Sequence, residues 1–439
     1  MSDQAPFADA EAEEGQSAAE QARTGIRVRV GSLLGRDEPV LGALVAATSL
    51  TTIARGVFLT ALVLYLTLVA GLSPEEIALS MTIAAVAGIG ASYLGGWLSD
   101  RISARRLTVV AQLAEGVALM AYVLVDSLEM AIVVGCLTFF TQSIAQSARS
   151  AIIARGFLGA KRVRARAILR TVTNVGIAVG SGVAAIPIVL GTPDAYRVAV
   201  FGAGLLFFGS TFLLLRLPSS VDAGGGSSAE SAAVKPVRGR SPWRDGRFLA
   251  FVVLSAIFGI QFPILDYAMP LWIAHNTEAP SVLVAVLTIQ NCVFVTIFTV
   301  PLSRGTEDPR AAGRVFAIAG VLMAVACVVY GLAEGAPVWL AITVLVLGAF
   351  AHVFAEVLSQ AAGWGLSFEL ADPNSVGAYQ GLVGMGWGII TAIGPPILAF
   401  TALQFGLVGW IALGLMFLGS ALGVLVIGRR AGRTWQPAA

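Results

Sequence analysis

Charged side chains stand inside long apolar stretches of this sequence, where each needs a partner or a water-filled cavity. Arg55 lies in the run TTIARGVFLTALVLYLT, Asp266 follows Pro263 in another such run, and Glu356 lies in the run AHVFAEVLSQ. A charge at the centre of a bilayer costs about 2.5–3.5 kcal/mol on insertion scales, so these residues are functional candidates. Arg55 could anchor an anionic group or balance a titrating acid. It could equally form a structural ion pair between helices.

The acidic candidates have the chemistry of proton or cation carriers. Asp266 comes directly after the segment Gln261-Phe262-Pro263-Ile264-Leu265. A proline inside a helix frees a backbone carbonyl and permits a bend. A carboxyl group in this setting could carry a proton or bind a cationic solute. Alternatively, Asp266 reaches headgroup water from the outer end of its helix.

A histidine and a glutamate share one helical face further along the chain. His352 and Glu356 are four residues apart, and Gln360 extends the same face. A His–Glu pair can relay protons near neutral pH, although Glu356 could instead pair with a basic loop. We interpret Glu115 and Arg149, which also lie in apolar runs, as structural. Arg149 is close enough to a membrane surface for its long side chain to reach water.

The elements that must position these residues are membrane-spanning helices. The 439-residue chain is 57% hydrophobic and 12% charged, whereas a soluble domain carries about 25% charged residues. A span needs roughly 20 mostly apolar residues, and this criterion predicts an all-α membrane protein with twelve transmembrane helices. The predicted spans are residues 41–69, 76–98, 107–125, 130–153, 167–190, 196–215, 249–273, 281–302, 313–333, 338–362, 376–400 and 405–427.

The basic residues give these helices an orientation. If the amino terminus is cytoplasmic and the chain alternates sides, all but three of the 28 basic residues fall in cytoplasmic segments, including Arg170. The exceptions are Arg55, Arg149 and the outer-loop Arg197. This asymmetry follows the positive-inside rule. We therefore expect a multi-pass protein of the cytoplasmic membrane with both termini in the cytoplasm, and the Ala, Gly, Val and Arg bias indicates a GC-rich bacterium.

A polar stretch divides the helices into two equal sets. Residues 217–247 contain AGGGSSAESAAVKPVRGRS, which has the composition of a flexible linker. The predicted organisation is a disordered cytoplasmic tail (1–37), a six-helix bundle (38–216), this cytoplasmic linker, a second six-helix bundle (248–428) and a cytoplasmic tail (429–439). Two such bundles, related by pseudo-two-fold symmetry, are typical of transporters whose substrate site lies between them at mid-membrane.

The loop after the second predicted helix carries a recognisable motif. It reads GWLSDRISARR from residue 96 to residue 106, which resembles the signature G-x-x-x-D-R-x-G-x-R-R of the major facilitator superfamily. Ser103 replaces the second glycine, so the turn is expected to differ there. The resemblance implies a conformational latch in which Asp100 faces the start of the eleventh helix, near residues 375–378, where the helix dipole favours a carboxylate. The implied latch residues are Gly96, Asp100, Arg101, Arg105 and Arg106, with the arginines at neighbouring helix ends.

The resemblance also implies where the central cavity lies. In this family helices 1, 4, 7 and 10 line the cavity, and here they carry Arg55, Arg149, Asp266 and Glu356. Neutral polar and aromatic residues on the same helices and on helices 8 and 11 complete a candidate pocket. The candidate substrate and proton-coupling residues are Arg55, Gln142, Gln146, Gln261, Asp266, Asn291, His352, Glu356, Tyr379 and Trp387.

Two motifs of the drug-exporter branch of this family are degraded. The fourth helix lacks an Arg-x-x-x-Gly pattern, and the fifth has Gly176, Gly180 and Gly182 without the branch's Gly-Pro pair. The eleventh helix does contain a Gly-Pro pair, at Gly394 and Pro395. We attribute the small residues of helices 5 and 11 to close packing between the two halves.

These features predict a secondary transporter that exports a small amphiphilic organic solute by alternating access with proton coupling. An importer or uniporter that grips an anionic metabolite with Arg55 is the alternative, and a transport-inactive receptor is a third hypothesis. The sequence has no nucleotide-binding loop, no visible nucleophile–base pair, two histidines and three cysteines. ATP drive, an enzyme and a metal centre are therefore not expected. The expected partners are the solute and the lipid bilayer, for a monomer with no cofactor and no nucleic acid.

Overall fold

The chain folds into long helices, because in lipid a spanning segment must satisfy its own backbone hydrogen bonds. The computed structural model describes residues 38–218, 221–222 and 239–433, and these contain no β-strand. The predicted tail of residues 1–37 and most of the linker lie outside the described residues. The helices are α1 (Pro39–Leu68), α2 (Pro74–Ser99), α3 (Ala104–Ala121), α4 (Leu128–Gly156), α5 (Ala160–Leu190), α6 (Pro193–Leu214), α7 (Gly246–Asn276), α8 (Leu283–Leu302), α9 (Pro309–Gly331), α10 (Val338–Glu369), α11 (Val376–Leu398) and α12 (Gln404–Ala431).

The prediction of twelve helices is confirmed. Ten helical segments of the described chain are long and apolar enough to cross a membrane. One of them, Val376–Ala431, is 56 residues long. The π-helical turn Ala399–Leu403 separates α11 from α12, and Gly406, with φ 56° and ψ −135°, kinks the chain just after α12 begins. The apolar part of α8, Val286–Leu302, is a shorter span and completes the set.

Local sequence signals set the helix ends. Ser73 and Glu76 form a capping box in front of α2, in which each side chain bonds the other residue's backbone N–H. The side chains of Ser103 and Asp245 accept hydrogen bonds from the first turns of α3 and α7. α5 begins at Ala160, seven residues earlier than predicted, because its basic segment AKRVRARAILR consists mostly of good helix formers.

α7 is interrupted where the sequence has Pro263. A regular helix covers Gly246–Gly259, a single π-helical turn covers Ile264–Ala268, and Met269–Asn276 completes the span. A proline cannot donate its backbone hydrogen bond, and π-helical turns occur mostly as such local interruptions. The turn carries Asp266, so the direction of this side chain depends on the interruption.

The two halves repeat the same helix pairing. In the first half, α1 packs against α5 and α6, α2 packs against α4, and α3 packs against α4 and α6. In the second half, α7 packs against α11 and α12, α8 packs against α10, and α9 packs against α10 and α12. Each pair of the first half recurs six helices later, which is the relationship expected of two parallel repeats.

The halves meet through α2 with α11, α4 with α11, and α5 with α8 and α10. The α2–α11 contact is close because glycines replace larger side chains. A Cβ atom on Gly96 would collide with the carbonyl oxygen of Gly377, and one on Gly381 would lie 2.8 Å from the carbonyl oxygen of Ser92. Within the described chain, α1 and α7 show no comparable packing. The halves are therefore joined most closely where α2 ends and α11 begins.

The glycines of α5 have a different role from the one predicted. A Cβ atom on Gly176 or Gly180 would collide with α1 of the same half, whereas Gly182 has open space around it. The prediction of packing between the halves is therefore wrong for these glycines of α5. It is confirmed for α11, whose Gly377 and Gly381 lie against α2.

Candidate functional site

Glu356 on α10 is the centre of a polar cluster that joins the two halves. Its Oε1 atom lies 3.4 Å from Nη2 of Arg170, which belongs to α5 in the other half. Asn291 on α8 donates to Oε2 at 2.9 Å, and Gln360 donates to Oε1 at 3.0 Å. The Glu356 side chain is 7% exposed and that of Arg170 is 34% exposed. A carboxylate that holds an arginine of the opposite half has the geometry of a contact that protonation can break.

Asp266 lies beside this cluster without a direct partner. Its side chain is exposed, and it makes no hydrogen bond or ion pair with the described residues. It is nevertheless in electrostatic range of both Glu356 and Arg170. The π-helical turn after Pro263 thus brings a second carboxylate into electrostatic range of Arg170.

Aromatic residues precede and follow Asp266 on α7. Phe262 lies one turn before it, and its ring centroid is 4.6 Å from that of Trp387 on α11. Trp387 is 42% exposed and Tyr267 is 37% exposed. Gln261, in contrast, is buried and donates to Ser359 at 3.1 Å, which ties α7 to α10.

The predicted pair of His352 and Glu356 is not formed. The Nδ1 atom of His352 lies 3.2 Å from the hydroxyl of Tyr330 on α9, and its side chain is buried in the core of the second half. Glu356 faces α5 and α8 instead. Four-residue spacing puts the two residues on one face of α10, but different helices pack against them. α9 provides the partner of His352, and α5 and α8 provide the partners of Glu356. The proton-relay interpretation of this pair is therefore corrected.

A second charged cluster lies wholly inside the first half. Nη2 of Arg55 on α1 is 2.9 Å from Oε1 of Glu115 on α3, and Glu115 is 3% exposed. When the Gln142 amide is oriented with its oxygen toward Arg55, that oxygen accepts hydrogen bonds from Nη2 at 2.7 Å and Nε at 3.1 Å. Arg55 thus forms the structural ion pair that the sequence left as one alternative. An anionic solute would have to compete with Glu115 and Gln142 for it.

Arg149 belongs to this first-half cluster and does not extend to the membrane surface. Its Nη2 atom donates to Gln112 at 2.8 Å, and Gln112 in turn donates to Ser210 on α6. Its Nε atom is buried without a partner among the described residues. The interpretation of Arg149 as a side chain that reaches surface water is therefore wrong. Its structural role, linking α4 to α3 and α6, agrees with the contacts.

The remaining neutral candidates separate into two groups. Gln146 on α4 is exposed, and Asn291 contributes directly to the Glu356 cluster. Tyr379 is fully buried and donates to Asp245 at 3.2 Å. This contact lies at the start of α11, where the linker enters α7. Tyr379 therefore lies in the core of the second half and does not line the cavity.

Asp100 binds the first turn of α11. Its Oδ1 accepts from the backbone N–H of Gly377 at 2.8 Å, and its Oδ2 accepts from that of Ala378 at 2.7 Å. Arg155 at the end of α4 lies 2.5 Å from the same carboxylate and also donates to the carbonyl of Ser99. Burial raises the pKa of the Asp100 carboxyl, while the two amides and Arg155 act in the opposite direction. The contact joins the two halves through a charge at a helix amino terminus.

The arginines of the motif are engaged differently. Arg101 stacks on Trp97, with its guanidinium carbon 3.6 Å from the ring centroid, and Arg105 donates to the carbonyl of Leu217 after α6. Ser103, at the position of the missing glycine, has φ −57°, so the turn needs no positive φ. Its hydroxyl donates to Asp222, and it accepts a hydrogen bond from the backbone N–H of Arg106.

Three basic residues make contacts that the sequence patterns do not predict, either between the halves or near Asp100. The positive-inside pattern assigns Arg155, Arg162 and Arg170 to cytoplasmic segments and predicts no partner for them. In the structure, Arg162 lies 3.5 Å from Glu369 of α10. A signal was present for Arg170. It lies ten residues into a segment of good helix formers, and therefore about 15 Å along α5.

Comparisons with known proteins place the chain among membrane transporters. The family model described as the Major Facilitator Superfamily matches residues 44–395, whereas no curated protein sequence matches. Similar structures include the human organic anion transporter MFSD10 (TETRAN), with 13% identity, a TM-score of 0.65, and coverage of 88% of this chain and 99% of that one.

Two further structures have the same fold. The proton:xylose symporter XylE bound to 6-bromo-6-deoxy-D-glucose is 16% identical, with a TM-score of 0.64 and coverage of 88% of this chain and 94% of that one. A bacterial homologue of the iron transporter ferroportin in an outward-facing state is 14% identical, with a TM-score of 0.67 and coverage of 90% and 99%. At these identities the likeness concerns the fold.

Proposed function

Because this chain belongs to the Major Facilitator Superfamily and is a multi-pass membrane transporter, we propose that it moves a small organic solute by alternating access and couples this movement to protons. The observation that carries the proposal is the contact between Arg170 and Glu356. Among the described residues, two ion pairs join the halves, and this one lies inside α5 and α10, whereas Arg162 and Glu369 lie at helix ends. Protonation of Glu356 removes the charge that holds Arg170, and so biases the equilibrium between two arrangements of the halves.

The closed end of the molecule supports this mechanism. Asp100 with the start of α11, and Arg162 with Glu369, join the halves on the side where α2 ends and α11 begins. We infer that this side faces the cytoplasm, since the basic loops lie there. The state described is then closed toward the cytoplasm. Both termini are cytoplasmic in this proposal, and the protein works as a monomer in the cytoplasmic membrane.

The direction of transport remains a prediction. Export of an amphiphilic compound agrees with the exposure of both an aromatic ring, Trp387, and a carboxylate, Asp266. The alternative, uptake of an anionic metabolite by Arg55, has less support, because Glu115 and Gln142 already occupy that guanidinium.

Proton flux in proteoliposomes tests the proposal. A pH-sensitive dye inside the vesicles reports protons while a panel of solutes is added outside, and the initial direction of the flux distinguishes proton antiport, which export requires, from symport. Glu356→Gln should abolish solute-dependent proton flux and leave solute exchange intact. Glu369→Gln is the matched control, since it also removes an ion pair between the halves but lies at the closed end of α10.

Two outcomes would contradict the proposal. Wild-type protein that exchanges a solute without moving protons would disprove coupling. Glu356→Gln protein with wild-type proton flux would disprove the role of this residue.

A further inference from the structure

Within the described residues, the Asp266 carboxylate has no counter-ion in direct contact. It lies in the π-helical turn of α7. An unpaired charge at the centre of a membrane helix costs about 2.5–3.5 kcal/mol on insertion scales. Glu356, by comparison, has an arginine and two amides around its oxygens. Asp266 is exposed, and it lies in electrostatic range of Arg170 and Glu356.

The local charges leave room for one further cation. Asp266 and Glu356 carry two negative charges, and Arg170 is the basic group in electrostatic range of both. Three other arginines of the first half have partners of their own: Arg55 is bound by Glu115, Arg149 donates to Gln112, and Arg166, one turn before Arg170, donates to Ser150. The charged groups in electrostatic range of Asp266 are Glu356 and Arg170. A positively charged group beside Asp266 would make this wall of the cavity neutral.

The surroundings of Asp266 favour an organic cation. Phe262 lies one turn away and contacts Trp387, and Trp387 also lines a groove between α7 and α11. Aromatic faces attract ammonium groups with about 0.5–2 kcal/mol, whereas small inorganic cations select oxygen ligands. The groove is mainly apolar, and the hydroxyl of Ser255 in its wall is buried with no hydrogen-bond partner in the described part of the chain. The other groove residues include Phe251, Val252, Val383 and Ile390.

We propose that the transported solute is an amphiphilic organic cation whose ammonium group binds Asp266, with its apolar part in the groove between α7 and α11. This inference rests on the proposed transport function and gives it a substrate class. It also divides the labour between the two acids. Asp266 binds the cation, while Glu356, held by Arg170, carries the proton.

Matched probes test the charge preference. Binding of decyltrimethylammonium, decanol and decyl sulfate to the purified protein is measured by the quenching of tryptophan fluorescence and by isothermal titration calorimetry. We expect the cation to bind about tenfold or more tightly than decanol, and Asp266→Asn to remove this difference without weakening decanol. A tenfold change corresponds to about 1.4 kcal/mol. Asp194→Asn, which neutralises an exposed carboxylate at the start of α6, is the control.

Two further variants separate binding from folding. Asp266→Glu keeps the charge and should retain most of the preference for the cation. Trp387→Leu should weaken binding of the cation more than binding of decanol, because it removes an aromatic face that attracts the ammonium group. Unchanged preference in Asp266→Asn, tighter binding of decyl sulfate than of the cation, or displacement of the cation by sodium ions alone would overturn the proposal.

The outcomes also separate this inference from the proposed function. Proton-coupled transport of a neutral or anionic solute by Asp266→Asn protein would disprove the substrate class and leave proton coupling standing. Loss of cation binding in Asp266→Asn, together with full proton flux in Glu356→Gln, would support the substrate class and disprove the role of Glu356 in proton coupling.

Discussion

Arg170 and Glu356 meet across the boundary between the two halves, with Nη2 and Oε1 3.4 Å apart. Neither residue could form this contact within its own half. Glu356 is also linked to its own half, since Asn291 and Gln360 donate to its oxygens. The pair therefore reports the relative position of the halves, and a change in its charge changes the free energy of that arrangement.

Arg170→Gln should shift the protein toward the state in which the closed end opens. Pairs exposed to water contribute about 0.2–1 kcal/mol, whereas breaking a buried pair costs about 3–5 kcal/mol. With one third of Arg170 exposed, we expect an intermediate effect, about a tenfold change in the ratio of the two states. The measurement is labelling of a cysteine at Ser147, which is buried behind the α2–α11 contact, in a background without native cysteines. Unchanged labelling would show that the pair does not stabilise the closed end.

Gly377→Ala should open the same end by a different route. The added Cβ would lie 2.6 Å from Oδ1 of Asp100 and would also collide with Ser99, so the hydrogen bonds from α11 to Asp100 must lengthen. Labelling at Ser147 should increase several-fold. Gly90→Ala in α2 is the control, because a Cβ there meets nothing within 4 Å. Equal labelling in both variants would argue against a latch at Asp100.

Arg55→Gln should destabilise the first half by about 3 kcal/mol, since it leaves Glu115 buried without its cation. The double variant Arg55→Gln, Glu115→Gln should recover most of this loss, because no unpaired charge remains. Thermal unfolding in detergent measures both. Arg197→Gln, in an exposed pair with Asp194, should change little. If the double variant is as unstable as the single one, charge pairing is not what the cluster provides.

Gly406→Ala should destabilise the connection between α11 and α12. Gly406 has φ 56°, which side chains rarely adopt, and an added Cβ would collide with the Glu334 carboxylate, an acceptor for the backbone N–H of Leu407. Strain of this kind costs about 1–3 kcal/mol. Gly419→Ala, in the middle of α12 with free space around it, should be neutral or slightly stabilising because alanine is the better helix former. A comparison of the two melting temperatures decides the matter.

The helices followed from the sequence because the bilayer imposes a minimum apolar length that few segments satisfy by chance. The Asp100 contact followed from a motif. The partners of the buried charges did not follow. His352 and Glu356 share a face, yet Tyr330 binds one and Arg170 the other. That outcome depends on which helices lie alongside, and spacing within a single helix does not encode it. The contact of Arg170 did not follow either, because its basic neighbours resemble a cytoplasmic loop although the segment belongs to α5.

The π-helical turn at Ile264–Ala268 makes α7 sensitive to its own length. Such a turn holds one residue more than the α-helical path it replaces. Deleting a single residue between Pro263 and Met269 would let the helix close into a regular spiral. The segment on one side of the deletion would then turn by about 100° relative to the other, and Asp266 would leave the wall that it shares with Arg170. In related chains, we therefore expect substitutions within this turn to be accepted more readily than insertions or deletions.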